Sequence, residues 1–264
     1  MKALASVLCA LASALAAQRA EALPEALEGV GVEEQLGAVL PLELAFVDER
    51  GEPRRLEEFF DGERPVLLTL NYASCPMLCQ LQLDGTVHAL AALDLDLGAD
   101  YRVLTVSIDP AEGPEQVLPV RDAYLQRYGR PTEPEAWHYL TGEERAIERL
   151  AASVGFGYAF VAETGEYAHG AVAMLCTPEG ELSRYVYGVQ PDPGLLRLSF
   201  VEAARGELGS AFDRFLLFCF DYHADERRYA WAAGRLMRWG ASFTVAAVLG
   251  GFVWLRVSPW RPRA

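Results

Sequence analysis

The hydrophobic pattern of the central chain alternates between short continuous apolar runs and longer segments with helical periodicity. Val66–Tyr72 and Tyr101–Ile108 are near-continuous apolar runs, typical of strands that are buried on both faces. The segment from Pro76 to about Leu93 places its apolar residues at helical spacing. A turn at Thr177–Gly180 separates two further apolar runs and predicts a β-hairpin.

The complete pattern predicts one domain at residues 41–208. Strands are predicted at 41–47, 66–72, 101–108, 137–140, 171–176 and 181–187, helices at 76–93, 113–128, 143–154 and 193–205, and a helical turn at 56–60. From Val66 onward the order is β-α-β-α-β-α-β-β-α, which predicts an α/β domain with a mixed central sheet flanked by helices on both faces. This arrangement resembles a thioredoxin-like fold with an N-terminal extension.

The N-terminal segment has the features of an export signal. Lys2 precedes an apolar run from Ala3 to Ala17, and Ala14 and Ala16 form a small-x-small cleavage pattern. We therefore predict a signal peptide at 1–16 and a linker at 17–40. An alanine-rich helix of the mature protein is the alternative interpretation.

A second apolar segment lies near the C-terminus. The uncharged residues 239–255 would span about 25 Å as a helix, and tryptophans lie at both ends. We predict a transmembrane helix at 239–256, preceded by a juxtamembrane segment at 209–238 and followed by a cytoplasmic tail at 257–264; a buried helix is the alternative. Export followed by this anchor would place the main domain on the periplasmic side of the inner membrane.

Composition limits the classes of function. The 264 residues carry a formal net charge of −14, which argues against binding to nucleic acid, because a phosphate backbone requires a basic protein face. With 52% hydrophobic and 23% charged residues, the chain can form an ordered core. Five cysteines are too few for a disulfide scaffold but sufficient for one special site.

Two of these cysteines form the strongest candidate site. Cys75 and Cys79 enclose Pro-Met-Leu directly after the predicted strand 66–72. The end of a buried strand is a common ligand site, and the start of the following helix favours a thiolate. If Pro76 lies in the first helical turn, both sulfurs share one helix face. Such a pair can form a disulfide, bind a soft metal ion or remain as buried core thiols.

A metal site formed by two thiolates requires a further ligand, and the chain has four histidines. His88 lies on another face of the predicted helix, His138 is interpreted as structural, and His223 lies in the predicted juxtamembrane segment. In a thioredoxin-like fold, the loop that holds His169 faces the cysteine loop. His169 is therefore the candidate ligand, and a second, weaker metal pair is Cys219 with His223.

Four segments resemble the SCO/SenC family of copper chaperones in family order. They are NYASCPMLCQLQL, VLTVSIDPAEGPEQ, WHYLTGEE and AHGAVAMLCTPEGELSRYVYG, and together they cover roughly residues 41–205. The resemblance implies a thioredoxin-like domain that binds one copper ion, as Cu(I) or Cu(II), through Cys75, Cys79 and His169. It also implies that Asp109 either supports the ligands from outside the ligand set or faces a partner.

The resemblance implies delivery of copper to the dinuclear copper centre of a respiratory cytochrome oxidase, or reduction of the cysteines of that centre. The partner would be the copper-bearing oxidase subunit or another copper chaperone. The alternative is a membrane-anchored thiol:disulfide oxidoreductase with Cys75 as nucleophile and Cys79 as resolving thiol. His169 distinguishes the two, because dithiol exchange does not need it. A peroxidase and a structural binding domain fit less well.

The remaining sulfur-bearing residues are assigned secondary roles. Met77 could add a thioether to the site but is interpreted as a packing residue. Cys176 is expected to be an inert core thiol and Cys219 a bystander, and Cys9 is removed with the predicted signal peptide.

Overall fold

The computed structural model describes residues 29–208 and, near the C-terminus, helical Ser242, Thr244, Val245 and Leu249. The chain divides into two compact units, Met1–Gly209 and Ser210–Ala264, of which the first is described below. The predicted signal peptide, juxtamembrane segment and tail lie outside the described residues, as do Cys9, Cys219 and His223, and so does the predicted transmembrane helix apart from those four positions. No helix among the described residues is long and apolar enough to cross a bilayer.

The described part of the first unit has ten strands and four α-helices. In chain order they are β1 (Gly31–Val32), β2 (Ala45–Val47), β3 (Pro53–Arg55), β4 (Val66–Asn71), α1 (Leu78–Ala91), β5 (Arg102–Ser107), α2 (Pro114–Tyr128), β6 (Trp137–Leu140), α3 (Glu144–Ser153), β7 (Phe156–Val161), β8 (Glu166–His169), β9 (Val172–Cys176), β10 (Leu182–Tyr187) and α4 (Pro193–Ala204). Two short 3-10 helices, Leu56–Phe59 and Pro134–Ala136, precede β4 and β6.

A five-stranded mixed sheet forms the centre of the domain. Its strand order is β10-β9-β4-β5-β6, with β4, β5 and β6 parallel and β9 antiparallel to both of its neighbours. Every residue of β4 is buried, which explains why its sequence is a continuous apolar run. The predicted mixed central sheet is therefore confirmed.

The two faces of this sheet bury separate hydrophobic clusters, because successive side chains of a strand point to opposite sides. Leu68 and Leu70 of β4 pack in one cluster with Ile147 of α3. Leu67 packs in the other, together with Tyr124 of α2. The helices therefore cover both faces of the sheet, as the sequence pattern predicts.

Two small sheets flank the central one. The first is the hairpin of β2 and β3, and the second has the order β1-β7-β8. The β7–β8 hairpin was not predicted; its four-residue loop ends at Gly165, whose φ of 71° suits glycine. The predicted strand 41–47 shortens to Ala45–Val47 because Pro41 begins a turn.

A buried ion pair connects the β2–β3 hairpin to the sheet and to α2. Arg121 of α2 lies 3.0 Å from the Glu49 carboxylate, and the side chains are 3% and 0% exposed. The other carboxylate oxygen accepts a hydrogen bond of 3.2 Å from the Tyr139 backbone N–H and lies 3.2 Å from His138 Nδ1. This cluster gives His138 a structural partner, as expected from the sequence.

Candidate metal centre

The two cysteines lie on either side of the start of α1. The sequence prediction began this helix at Pro76, but it begins at Leu78, so Cys75 lies in the preceding turn and Cys79 in the first helical turn. The reason lies at Met77, the residue before the helix, whose φ of −146° and ψ of −65° are outside the helical region. The Cys75 sulfur nevertheless accepts a hydrogen bond of 3.3 Å from the Cys79 N–H, so both sulfurs remain close together.

The structure brings His169 to this pair. The Cys79 sulfur lies 3.0 Å from His169 Nε2, and one donor atom from each of Cys75, Cys79 and His169 lies within 4.8 Å of the others. The three residues are buried, with 4%, 1% and 7% exposure. His169 is the last residue of β8 rather than part of a loop, so its position is fixed by strand pairing with Tyr158 of β7.

The orientation of the His169 ring leaves one nitrogen available. Its Nδ1 lies 3.1 Å from the Gly170 carbonyl oxygen. Because a carbonyl oxygen only accepts hydrogen bonds, Nδ1 carries a proton, and Nε2 is the unprotonated nitrogen of the neutral ring, available to a metal ion. This is the tautomer that a metal-binding imidazole requires.

The surroundings of Cys75 favour its thiolate. Hydrogen bonding from the Cys79 thiol lowers the pKa of Cys75 most; burial acts in the opposite direction, and the Cys79 and Met77 backbone N–H groups and the Tyr72 hydroxyl lower it further. The pKa of Cys79 is raised, first because its thiol bonds to the Cys75 sulfur and second because it is buried. The pair therefore holds one proton, which a bound metal cation would displace into solvent.

Aromatic side chains hold the imidazole in place. Tyr72 packs edge-on against His169 with ring centroids 6.0 Å apart, and Phe156 packs on it at 5.9 Å. The Tyr72 hydroxyl also accepts a hydrogen bond of 3.3 Å from the Tyr167 N–H of β8. Tyr72 thereby connects the cysteine loop to the strand that carries the histidine.

The other candidate residues lie apart from this cluster. The Asp109 carboxylate accepts a hydrogen bond of 2.9 Å from the Ala111 N–H, and its expected role toward ligands or a partner stays a prediction. His88 is exposed on α1. Cys176 is fully buried in β9, and burial raises the pKa of its thiol to about 12, in agreement with an inert core residue.

Glu112 is a positioning residue that sequence reasoning missed. Its carboxylate, 6% exposed as a residue, accepts hydrogen bonds from the backbone N–H groups of Ala73 at 2.9 Å and Ser74 at 2.8 Å. The Ser107 hydroxyl donates a third bond of 2.7 Å to it. Glu112 therefore fastens the loop before Cys75 to the end of β5.

We expect Glu112→Ala to loosen this loop. Loss of the carboxylate leaves two backbone donors without their acceptor, at a cost of roughly 1–3 kcal/mol each. Amide hydrogen exchange at Ala73 and Ser74 should therefore become about 10–100-fold faster. The matched control is Glu115→Ala in the first turn of α2, which should leave both rates unchanged. Equal protection of Ala73 and Ser74 in the wild-type and Glu112→Ala proteins would contradict this role.

The donor set fits one soft metal ion. Two donors on a single ion with bonds of about 2.0–2.3 Å lie no more than roughly 4.6 Å apart, close to the separation within the cluster of at most 4.8 Å. Thiolates favour Cu(I), and an imidazole is also a good ligand for Cu(II). Fold and site together define a thioredoxin-like domain with a buried Cys-Cys-His cluster suited to copper.

Sequence comparison identifies the family. The profile of the SCO1/SenC family matches residues 34–197, which is more than half of the chain. The chain belongs to the SCO1/SenC family. A comparison with curated protein sequences found no significant match.

Solved structures of similar fold include several Sco proteins. A putative electron transfer protein from Aquifex aeolicus is 21% identical, with a TM-score of 0.58 and coverage of 66% of this chain and 96% of the other. BsSco, described as a member of the Sco family of cytochrome c oxidase assembly proteins with a disulfide switch, is 18% identical, with a TM-score of 0.50 and coverage of 66% and 98%. Copper-bound ScoI from Arabidopsis thaliana is 21% identical, with a TM-score of 0.49 and coverage of 62% and 96%. At these identities the first two likenesses establish the fold alone.

Proposed function

We propose that this protein binds one copper ion through Cys75, Cys79 and His169 and transfers it to the copper-bearing subunit of a respiratory cytochrome oxidase. The observation that carries the proposal is the convergence of His169 Nε2 on the Cys79 sulfur at 3.0 Å. A dithiol exchange site does not need a buried imidazole with an unprotonated nitrogen beside the thiol. The family membership and the assembly role described for BsSco support the choice of acceptor.

The ligands perform two tasks in this proposal. The Cys75 thiolate and the Cys79 sulfur attract soft Cu(I), and the ion displaces the remaining thiol proton. His169 Nε2 completes the set and allows Cu(II) to bind as well. Cys75 and His169 line an open cavity of about 540 Å³, through which a ligand of the acceptor can approach the bound ion.

The proposed location is the periplasmic side of the inner membrane. The signal-like segment at 1–16 and the apolar segment at 239–256 support an exported domain with a single C-terminal anchor. This anchor would hold the copper-binding domain close to a membrane-bound oxidase.

The second candidate function is thiol:disulfide exchange with the cysteines of the oxidase copper centre. The observation that favours it is the hydrogen bond of 3.3 Å from the Cys79 N–H to the Cys75 sulfur, which favours the Cys75 thiolate and keeps Cys79 beside it as a resolving thiol. In this function the Cys75 thiolate attacks a disulfide of the partner, and Cys79 then releases the reduced partner as the internal disulfide forms.

Replacement of His169 by alanine distinguishes the two functions. The full wild-type chain, reduced and titrated with Cu(II), should bind one equivalent with an intense thiolate-to-copper absorption band. His169→Ala should lose this band and weaken copper binding by about a hundredfold or more, while dithiol exchange continues. His88→Ala is the matched control and should bind as the wild type does. Unchanged copper binding in His169→Ala would overturn the proposed function.

A further inference from the structure

Met77, the central residue of the Cys75–Cys79 motif, has an unexpected exposure. Its side chain is 67% exposed, so it does not serve as the packing residue that the sequence analysis expected. Of the residues in 29–208 that carry sulfur, Met174 and the three cysteines are buried, which leaves Met77 as the largely exposed one in that range. An exposed methionine with no packing role is free to contact another molecule.

Met77 also lies on the path to the buried site. It lines the same open cavity as Cys75 and His169, while Cys79 is 1% exposed and lies behind them. An ion that reaches the buried donors through this cavity therefore passes along a wall that Met77 helps to form. Their exposures of 67%, 4% and 1% order Met77, Cys75 and Cys79 from the surface inward.

The chemistry of the thioether matches this position. A thioether is a soft ligand that favours Cu(I), it needs no deprotonation, and it binds more weakly than a thiolate. It can therefore hold Cu(I) for a short time without competing with the final ligand set. Glu166 also lines the cavity, but its carboxylate would attract copper of either oxidation state.

We propose that the Met77 thioether is a transient Cu(I) ligand at the mouth of the site, through which the ion enters and leaves. This inference rests on the proposed copper-binding function and adds a kinetic step to it. In that step the ion exchanges one ligand of its previous carrier for the Met77 sulfur, then passes to the Cys75 thiolate, with no change in oxidation state. Because the same route serves both directions, loss of the thioether slows loading and release by the same factor.

An apolar docking contact is the competing explanation for the exposure of Met77. Leu81 lies one helical turn further along α1 and is 51% exposed, so the two side chains form an apolar strip. Met77→Leu separates the explanations, since leucine retains the apolar surface and removes the sulfur. Leu81→Ala is the complementary change, which reduces the strip and leaves the thioether.

The test is the rate of metal transfer to the full, reduced chain, measured by stopped flow. With Cu(I) supplied as its bicinchoninate complex, Met77→Leu should load and release the ion about tenfold more slowly than the wild type. Because both rates fall by the same factor, the affinity for Cu(I) should equal that of the wild type. Loading with Cu(II) glycinate should be unaffected by the same variant, because the thioether does not favour Cu(II). Leu81→Ala should match the wild type with both probes.

Three results would overturn the inference. Wild-type Cu(I) rates in Met77→Leu would show that the sulfur takes no part, and an equal slowing with Cu(I) and Cu(II) would assign Met77 a role in shape or docking. A wild-type chain that takes up no copper at all would overturn the proposed function and this inference together, a result distinct from the other two.

Discussion

Replacing Cys79 by serine should lower the affinity of the protein for Cu(I) by a few hundredfold. Structural zinc sites with four ligands bind with about 10–16 kcal/mol, or roughly 2.5–4 kcal/mol for each ligand, and a similar contribution is expected from each ligand here. Cys79 is the deepest donor and contacts His169 Nε2 directly, so its loss also leaves the imidazole without its partner. Competition with a Cu(I) chelator measures the change, and Cys75→Ser should behave alike.

Cys176→Ala is the matched control for this loss of a thiol. Cys176 is buried in β9 and lies outside the Cys75, Cys79 and His169 cluster. Its removal should reduce stability through a small cavity and leave Cu(I) affinity unchanged. Copper affinity that falls as much in Cys176→Ala as in Cys79→Ser would contradict the assignment of the site.

Replacing Arg121 by methionine should lower the free energy of unfolding by about 3–5 kcal/mol. Methionine retains much of the apolar bulk but leaves the Glu49 carboxylate, 0% exposed, without its cationic partner at 3.0 Å. Chemical denaturation of the full chain measures the effect. Arg127→Met on the same helix is the control, because its ion pair with Asp84 is about half exposed and should contribute less than about 1 kcal/mol.

The contribution of Glu49 should depend on pH. Burial alone would raise its pKa, but hydrogen bonds from the His138 ring and from its own backbone N–H, and the charge of Arg121, leave the pKa below its usual value. The stabilisation is therefore fully present above the unfolded-state pKa of about 4.3 and is lost as the pH falls through the lower folded-state pKa. The difference in stability between the wild type and Glu49→Gln should accordingly shrink in acid. If the difference in unfolding free energy between the two proteins stays constant until acid unfolds them, the result would argue against this ion pair.

The central sheet and the cysteine pair could be predicted because their signals are local. Strand β4 is buried on both faces, so its continuous apolar run can be recognised without knowing which strands lie beside it. The Cys75–Cys79 spacing lies within one short segment, and proline marks the turn before α1. The helix itself is two residues shorter at each end than predicted, and it starts at Leu78 because the backbone of Met77 is not helical, which the sequence does not indicate.

The β7–β8 hairpin was missed although a signal for it existed. Its strands contain aromatic and β-branched residues, and Gly165 closes the loop between them. Most of these positions are only half-buried, so their apolar pattern is weaker than that of β4. His169 was selected by its place before β9, but its location at the end of a paired strand became known only from the structure.

The role of Glu112 could not be read from the sequence. Its acceptor contacts reach back 39 and 38 residues to the backbone of the cysteine loop. Backbone donors carry no side-chain signal, and a glutamate shortly before a helix is usually interpreted as a solvated first-turn residue. Only the fold determines that this carboxylate is buried among three donors.

The distance along the chain between the proposed ligands couples copper affinity to folding. Cys75 and Cys79 are near each other even in an unfolded chain, whereas His169 is 90 residues from Cys79, and closing such a loop costs about 4 kcal/mol of chain entropy. An unfolded chain therefore offers an ion two donors, and a chain with β8 docked offers three. If it binds in this way, the ion favours the folded state, so a metal-loaded population becomes enriched in folded molecules.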